Sequence, residues 1–300
     1  MGNLTRADQS YAVQSLQFRF LLASVLLLLY LPVYGQINSP GARTLFVRNF
    51  LYRSNWRVLE RSSPSLDADG GPQRNRDPRV IAWENTFVYG LPHHVMGVGV
   101  VPVVSGSPAG LEGASGQQRE TGVADPKFFI QYDGLYMKNR PGGFSRLAGF
   151  FGVKVPWGEE RFSTGATDLI QGLIFTHATT SWFVNTDFQW TATTTNNESK
   201  TGNLLQLDAS VMYRLLRYPE RNDLFVVLEV NSFIEGQSNR DGMEILGTGG
   251  ESVFVSPGVE VFLRRNLILE LSVQLPVYQE LNGHQLSKDW VFVTGFRYLH

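Results

Sequence analysis

Few residues in this 300-residue chain could do chemistry: five histidines, 27 acidic side chains, and no cysteine. His93 and His94 are adjacent in a short Gly-Leu-Pro-His-His turn and could offer two imidazoles to a metal. A metal site needs further ligands nearby, and no spaced cluster accompanies this doublet, so a solvated turn is the simpler reading. His177 and Ser181 share a second short turn, but no Ser/His/acid set gathers around them. Gly97-Val-Gly99 and Gly247-Thr-Gly-Gly250 neither open a helix nor carry the lysine of a phosphate loop. Without cysteine there is no disulfide, no thiolate metal ligand and no thiol nucleophile. Neither a cofactor, a metal nor a catalytic residue is expected.

The remaining candidates are charges that recur at every second position. Leu205, Leu207, Ala209, Val211 and Tyr213 alternate with Gln206, Asp208, Ser210, Met212 and Arg214. Leu267, Leu269, Leu271, Val273 and Leu275 alternate with Ile268, Glu270, Ser272 and Gln274, and Trp182 to Trp190 reads the same way. A period of two is that of a strand with two different faces, and a one-residue slip would invert both. The more polar face collects Glu84, Asp133, Lys154, Asp187, Asp208, Arg214, Glu229, Glu270 and Arg297, joined by Gln131, Asn231, Glu260 and Gln274. These nine charges are the candidate lumen-lining set. Asp187, Asp208, Glu229 and Glu270 recur on consecutive strands. They read equally as a polar track along a lumen and as hydrogen-bonded filling of a narrow barrel.

Twelve such segments are expected, at 44–58, 80–89, 95–104, 126–137, 144–156, 167–176, 182–192, 204–215, 224–235, 252–263, 267–277 and 290–298. Their connections alternate. Long loops at 59–79, 105–125, 157–166, 193–203, 236–251 and 278–289 take turns with short ones at 90–94, 139–143, 177–181, 217–223 and 264–266. Long loops at one end, tight turns at the other and strands of about ten residues predict an all-β chain. The expected fold is a closed antiparallel up-and-down transmembrane β-barrel, with apolar side chains toward lipid and charges toward the lumen. Trp83, Tyr89, Trp157, Trp182, Trp190, Trp290 and Tyr298 fall near strand ends, as interfacial girdles do.

Composition sets the outer limits. The chain is 43% hydrophobic and 18% charged with a net charge of −1, which excludes disorder and nucleic-acid binding by an overall basic field. Mean hydropathy is −0.12, and a single long apolar run excludes a bundle of membrane helices. That run, 20–33, follows Arg6 and Arg19, and Val33 and Gly35 stand three and one residues before a cut. Residues 1–35 therefore read as a secretory signal peptide, an uncleaved anchor being the alternative. Residues 36–43 are then expected as a periplasmic segment and 44–300 as the barrel. Lipid, a small solute and the barrel-assembly machinery are the expected partners, the last because Trp290, Phe292, Phe296 and Tyr298 share one face of the final strand.

Three blocks carry a family resemblance: 87–104 (FVYGLPHHVMGVGVVPVV), 150–175 (FFGVKVPWGEERFSTGATDLIQGLIF) and 256–290. In order and spacing they resemble the outer-membrane transporter family named after the MetA (meta-cleavage) pathway of phenol degradation. Its marks are a strand running into "YG(I/L)", a strand ending "K-(V/L)-P-x-G" before an "(S/T)TG" loop, and "SPG" ahead of "LNGxQL". The resemblance implies a bacterial outer-membrane location and passage of small, often aromatic or hydrophobic, compounds. It brings no catalytic residues.

Overall fold

The computed structural model describes residues 37–38, 41–42, 45–66, 72–106, 120–140, 143–217, 223–264, 266–283 and 285–300. The proposed leader, 1–35, lies outside them. Twelve wall strands follow one another: β1 (Phe50–Leu66), β2 (Pro72–Leu91), β3 (Val95–Gly106), β4 (Lys127–Arg140), β5 (Gly143–Lys154) and β6 (Asp168–Ala178). Then come β7 (Trp182–Ala192), β8 (Leu204–Arg217), β9 (Asp223–Glu235), β10 (Gly250–Arg264), β11 (Leu267–Leu281) and β12 (Ser287–Leu299). Each pairs antiparallel with its sequence neighbour, and β12 returns to β1 from Leu51↔Leu299 to Ser62↔Ser287. The sheet is thus a closed barrel with no free edge, the form in which every wall amide finds a partner without water.

The alternation read from the sequence is the alternation of the wall. On β8, Leu204, Gln206, Asp208, Ser210 and Met212 are buried, while Leu207, Val211 and Leu215 face outward. Ile130, Leu173, Leu228 and Leu271 are likewise open on the outside, while Gln131, Ile174, Glu229 and Glu270 beside them are buried. A water-soluble barrel would bury such leucines, whereas a bilayer rewards their exposure. On the outer face Trp182 meets Tyr213 at 4.4 Å between ring centroids, and Trp56 stacks on Trp83 at 5.9 Å.

Several expected boundaries differ. The first strand runs Phe50–Leu66 rather than 44–58, and 59–79 is mostly paired strand rather than loop. Here β1 and β2 continue their ladder to Leu66↔Pro72, beyond the stretch where apolar residues alternate. Backbone pairing needs no apolar face once the hairpin stands in water, so hydrophobic periodicity marks the membrane and not the strand. Similarly, β11 and β12 extend to Leu281 and from Ser287.

The long-loop end carries structure of its own. Glu120–Val123 adds a short strand against Val103–Gly106, and Asn239–Arg240 pairs with both Met243–Glu244 and Ser199–Lys200. The β7–β8 and β9–β10 loops are joined by that last pairing.

The interior is not uniformly polar. Leu59, Val80, Ala82, Val104, Val291 and Val293 form an inward apolar cluster on β1, β2, β3 and β12, closed by Phe162 from the β5–β6 loop. A second group joins Phe233 and Phe254 with Ile170 and Leu204, and Phe129 and Phe150 pack against it.

Candidate functional site

Each of the nine charges singled out from the sequence is placed on the inward side of the wall. Glu84, Asp133, Lys154, Asp187, Asp208, Glu229, Glu270 and Arg297 are buried, and Arg214 is half-buried. Six of them form two sets. On the β10–β2 side, Arg53 reaches Glu270 through Nε (3.0 Å) and Nη2 (2.8 Å). Arg297 bonds both Glu270 and Glu260, and Arg57 stands 3.5 Å from Glu84. Both signs appear on the polar face read from the sequence, so these charges could pair across the lumen. Instead they meet along the wall, because neighbouring strands lie about 4.8 Å apart, well within the reach of an arginine. Glu270 is therefore an anchor for two guanidinium groups. Reversing its charge would crowd a third cation beside them rather than merely alter the lumen.

The β7–β9 side is built differently. Asp187 stands directly opposite Asp208 in the ladder, and Asp208 opposite Asn231. Gln206 Nε2 and Asn231 Nδ2 donate to Asp208, while Ser256 Oγ and Gln274 Nε2 donate to Asn231 Oδ1 at 3.0 and 3.2 Å. Neither carboxylate oxygen of Asp187 meets a donor among the described residues, nor do Gln206 Oε1 and Glu229 Oε1. This wall therefore holds more buried acceptors than donors.

What occupies the space between the two sides is the chain itself. Ile37, Asn38 and Ala42 are fully buried inside the barrel. The Asn38 amide donates to Glu229 Oε2 at 2.8 Å, and its side-chain Nδ2 to Ser272 Oγ at 3.2 Å. Arg53 Nη2 donates to the Ile37 carbonyl at 2.6 Å. Gln131 Nε2 donates to the Gly41 carbonyl at 3.1 Å, and the Ala42 amide to Thr176 Oγ1 at 2.9 Å. Segment 36–43, expected on the periplasmic side, thus has its described residues in the interior. Buried polar wall residues need partners, and this backbone supplies them.

At the short-turn end, Phe46 to Asn49 lie beneath Gly90. Arg48 donates to the Gly90 carbonyl and Gly90 to that of Asn49, both at 2.9 Å. A Cβ on Gly90 would lie 2.0 Å from the Phe46 carbonyl oxygen. This close approach explains the glycine of the Tyr89-Gly90-Leu91 motif.

The second motif builds a clasp that sequence reading misses. Lys154 Nζ lies 2.5 Å from Asp168 and 3.9 Å from Asp125. Asp125 also accepts from the amides of Gly158 (3.1 Å) and Thr164 (2.8 Å). Lys-Val-Pro-Trp-Gly and Ser-Thr-Gly-Ala-Thr-Asp are thus the two ends of one loop tied to one carboxylate, which holds Phe162 against Gly122 and Ala124. Asp125 falls in what reads as loop, with no periodic signal to single it out.

The described histidines stand apart from one another, the His93-His94 doublet excepted. His93 and His94 occupy a tight exposed turn with φ of 61° and 59°, and no metal-binding group of His, Asp and Glu exists among the described residues. His177 Nδ1 lies 2.9 Å from Ser145 rather than Ser181, on the outward face of β6. The described arrangement provides no acid for that pair.

An up-and-down barrel of twelve strands, apolar outside and charged within, is an outer-membrane β-barrel. Residues 78–281 match the family described as "Putative MetA-pathway of phenol degradation", and the chain belongs to that family. No curated protein matches it in sequence. Among solved structures it is similar to the COG4313 outer membrane channel from Pseudomonas putida F1. The identity is 12% and the TM-score 0.66, over 86% of this chain and 98% of that one. The β domain of the Bordetella autotransporter BrkA follows at 11% and 0.45, over 84% and 99%. A Pseudomonas aeruginosa FadL homologue has 11% and 0.41, over 87% and 92%. The first likeness shows the fold; the other two carry no further weight.

Proposed function

We infer that this barrel is a passive channel for small, apolar or aromatic solutes across the bacterial outer membrane. The observation that carries the reading is the mixed interior. Phe129, Phe150, Phe233 and Phe254 form an inward aromatic patch, with Lys288 Nζ 4.9 Å from the Phe254 ring centroid. Opposite charges line the wall beside it. A surface with aromatic faces and a few fixed polar groups suits solutes that carry a ring and one or two polar substituents. Family membership and the likeness to a protein described as an outer membrane channel support the same reading.

Residues 1–35 serve as the export signal, lipid surrounds the apolar belt, and the aromatic face of β12 is the mark read by the assembly machinery. Selectivity belongs to the lumen charges and long loops, with no cofactor and no catalytic step. A second reading, a barrel whose lumen is closed and whose loops bind a partner, is favoured by the residues that fill the interior.

The test is conductance in planar bilayers together with swelling of proteoliposomes in phenolic and in sugar solutes. Steady conductance with faster entry of the phenolic solute is expected. Its complete absence from correctly folded protein, at any voltage and after removal of residues 37–42, would leave the closed-lumen reading standing.

A further inference from the structure

Resting on the channel reading above, we propose that the acidic wall of β7–β9 binds solutes carrying a primary ammonium group on a short arm from an aromatic ring. Three observations carry this. The first is the balance of donors and acceptors. Asp187 stands opposite Asp208, with Gln206 opposite Phe233 one row toward the long loops and Ser210 opposite Glu229 one row toward the short turns. All six are buried on the inward face. Gln206 Nε2 and Asn231 Nδ2 donate one bond to each oxygen of Asp208. Both oxygens of Asp187, Gln206 Oε1, Ser210 Oγ and Glu229 Oε1 meet no partner among the described residues. Gln206 and Glu229 are wholly enclosed, so their oxygens await a donor that the wall itself does not supply.

The second observation is charge. Asp187, Asp208 and Glu229 make no ion pair among the described residues. Across β6 to β10 the only Lys or Arg side chains are Arg214 and Arg217 on β8 and Arg264 on β10, all at the short-turn end. Arg214 is separated from Asp208 by about 20 Å along the strand, and it stands 3.6 Å from Asp223. Two carboxylates directly opposite in a ladder repel, and a buried charge is costly without a counter-charge. A shared proton would meet one oxygen and leave the others as they are. A primary ammonium brings one positive charge and three donors, enough for both oxygens of Asp187 and for Gln206 Oε1. A metal ion suits the wall less, since no His, Asp and Glu group among the described residues is placed to hold one.

The third is the aromatic patch beside the carboxylates. Phe233 lies one row, about 7 Å, from the Asp187–Asp208 pair. It meets Phe254 edge to face with ring centroids 5.9 Å apart, and Phe254 is itself opposite Asn231 in the ladder. Ile170 and Leu204 complete the patch. Carboxylates next to aromatic rings suit an ammonium and its own ring together. The cation bonds the oxygens while the ring packs on phenyl edges and faces. Across the lumen Glu270, Glu260 and Glu84 already hold arginines, so they offer little to a second cation. The preference therefore belongs to β7–β9.

The test uses the full barrel in planar bilayers, where reversal potentials rank ions by permeability. Wild type, D187N and D187N/D208N are compared, each first shown to be folded by heat-modifiable migration on a denaturing gel. The salts are 2-phenylethylammonium chloride, the chloride of its N-trimethyl derivative, and sodium phenylacetate. The trimethyl cation keeps the charge and the ring but has no N–H to donate. In wild type, 2-phenylethylammonium should be severalfold more permeant than the trimethyl cation and than phenylacetate. Its advantage should shrink in D187N and vanish in D187N/D208N, and D187N alone decides if the double variant fails to fold. Equal permeability of the two cations in wild type, an unchanged ratio in the folded variants, or a preference for phenylacetate would overturn the ammonium site while leaving the channel reading intact. A folded wild-type barrel that passes neither these ions nor potassium chloride at any voltage would overturn both.

Discussion

The two charged sides of the lumen are built on opposite principles. On β10–β2 each of the buried carboxylates among the described residues has a cation at hand: Glu270 holds Arg53 and Arg297, Glu260 holds Arg297, and Glu84 holds Arg57. On β7–β9 Asp187, Asp208 and Glu229 gather among amides, and several oxygens meet no donor among the described residues. The first arrangement is a mortar that fixes neighbouring strands. The second leaves acceptor capacity unspent, and part of it, Glu229, is taken up by the backbone of Asn38. A buried charge whose partner is removed becomes costly, whereas a surplus acceptor loses little when it is changed.

The contrast can be broken in several places. Glu270→Ala should have the largest effect, about 3–5 kcal/mol, because it removes the carboxylate of the buried Arg53 and one of the two that hold Arg297. Equilibrium unfolding in urea with lipid vesicles measures it, and a loss under about 1 kcal/mol would dissolve the distinction between the two sides. Leu271→Arg, one residue along on the lipid face, should cost about 2–4 kcal/mol in the same assay. If Leu271→Arg proved harmless, the inside and outside of the wall would have to be exchanged. Gly90→Ala should leave the barrel migrating normally but force the Phe46 carbonyl away, so that protease cuts upstream of β1 faster. Asp187→Asn should be neutral or stabilising by up to about 1 kcal/mol, since its amide brings a donor to Asp208. A large destabilisation there would show that the acidic wall is as tightly paired as the other.

The smallest effect lies outside the membrane. Glu198 bonds Asp241 between the two joined loops, which holds its carboxyl above the usual glutamate range. Below that raised value the pair shares a proton and the loops attract. As pH rises through it both carboxylates charge and the contact loosens. Hydrogen exchange of the Asp241 amide, which donates to the Glu198 carbonyl, should therefore show less protection at neutral than at mildly acid pH once corrected for intrinsic rate.

Much of the wall is legible in the sequence. Alternation on β7, β8 and β11 sets their faces because lipid and lumen impose opposite polarity on successive residues, and the regular loop lengths imply closure. The β1–β2 extension is not legible, since Arg61 to Leu66 lie past the apolar belt and their pairing leaves no periodic trace. Among the site residues, Asp187 and Glu270 stand out by their period. Which of them pairs depends on registers such as Glu260↔Glu270, and no single strand encodes those. Asp125 and the segment at Ile37 stay hidden for a common reason: both lie in irregular chain, and irregular chain has no repeat to read. The glycines of the family motifs are visible as letters, while their purpose, making room for Phe46 and Ala124, emerges only from the fold.

The position of Ile37 and Asn38 also bears on how the molecule is made. The anchors of Asn38 are separated from it in sequence by 191 residues at Glu229 and 234 at Ser272. The part of the chain that emerges first therefore depends on strands that emerge last. Contacts so distant form late, after the entropy of closing the intervening loops has been met. Phe50 and His300 bond each other where β1 meets β12, close to the Arg48 and Asn49 bonds with Gly90. The seam that completes the cylinder and the filling of its centre thus lie side by side, so one ending of assembly accomplishes both. A barrel caught before that step would be an open sheet with its leading segment still outside.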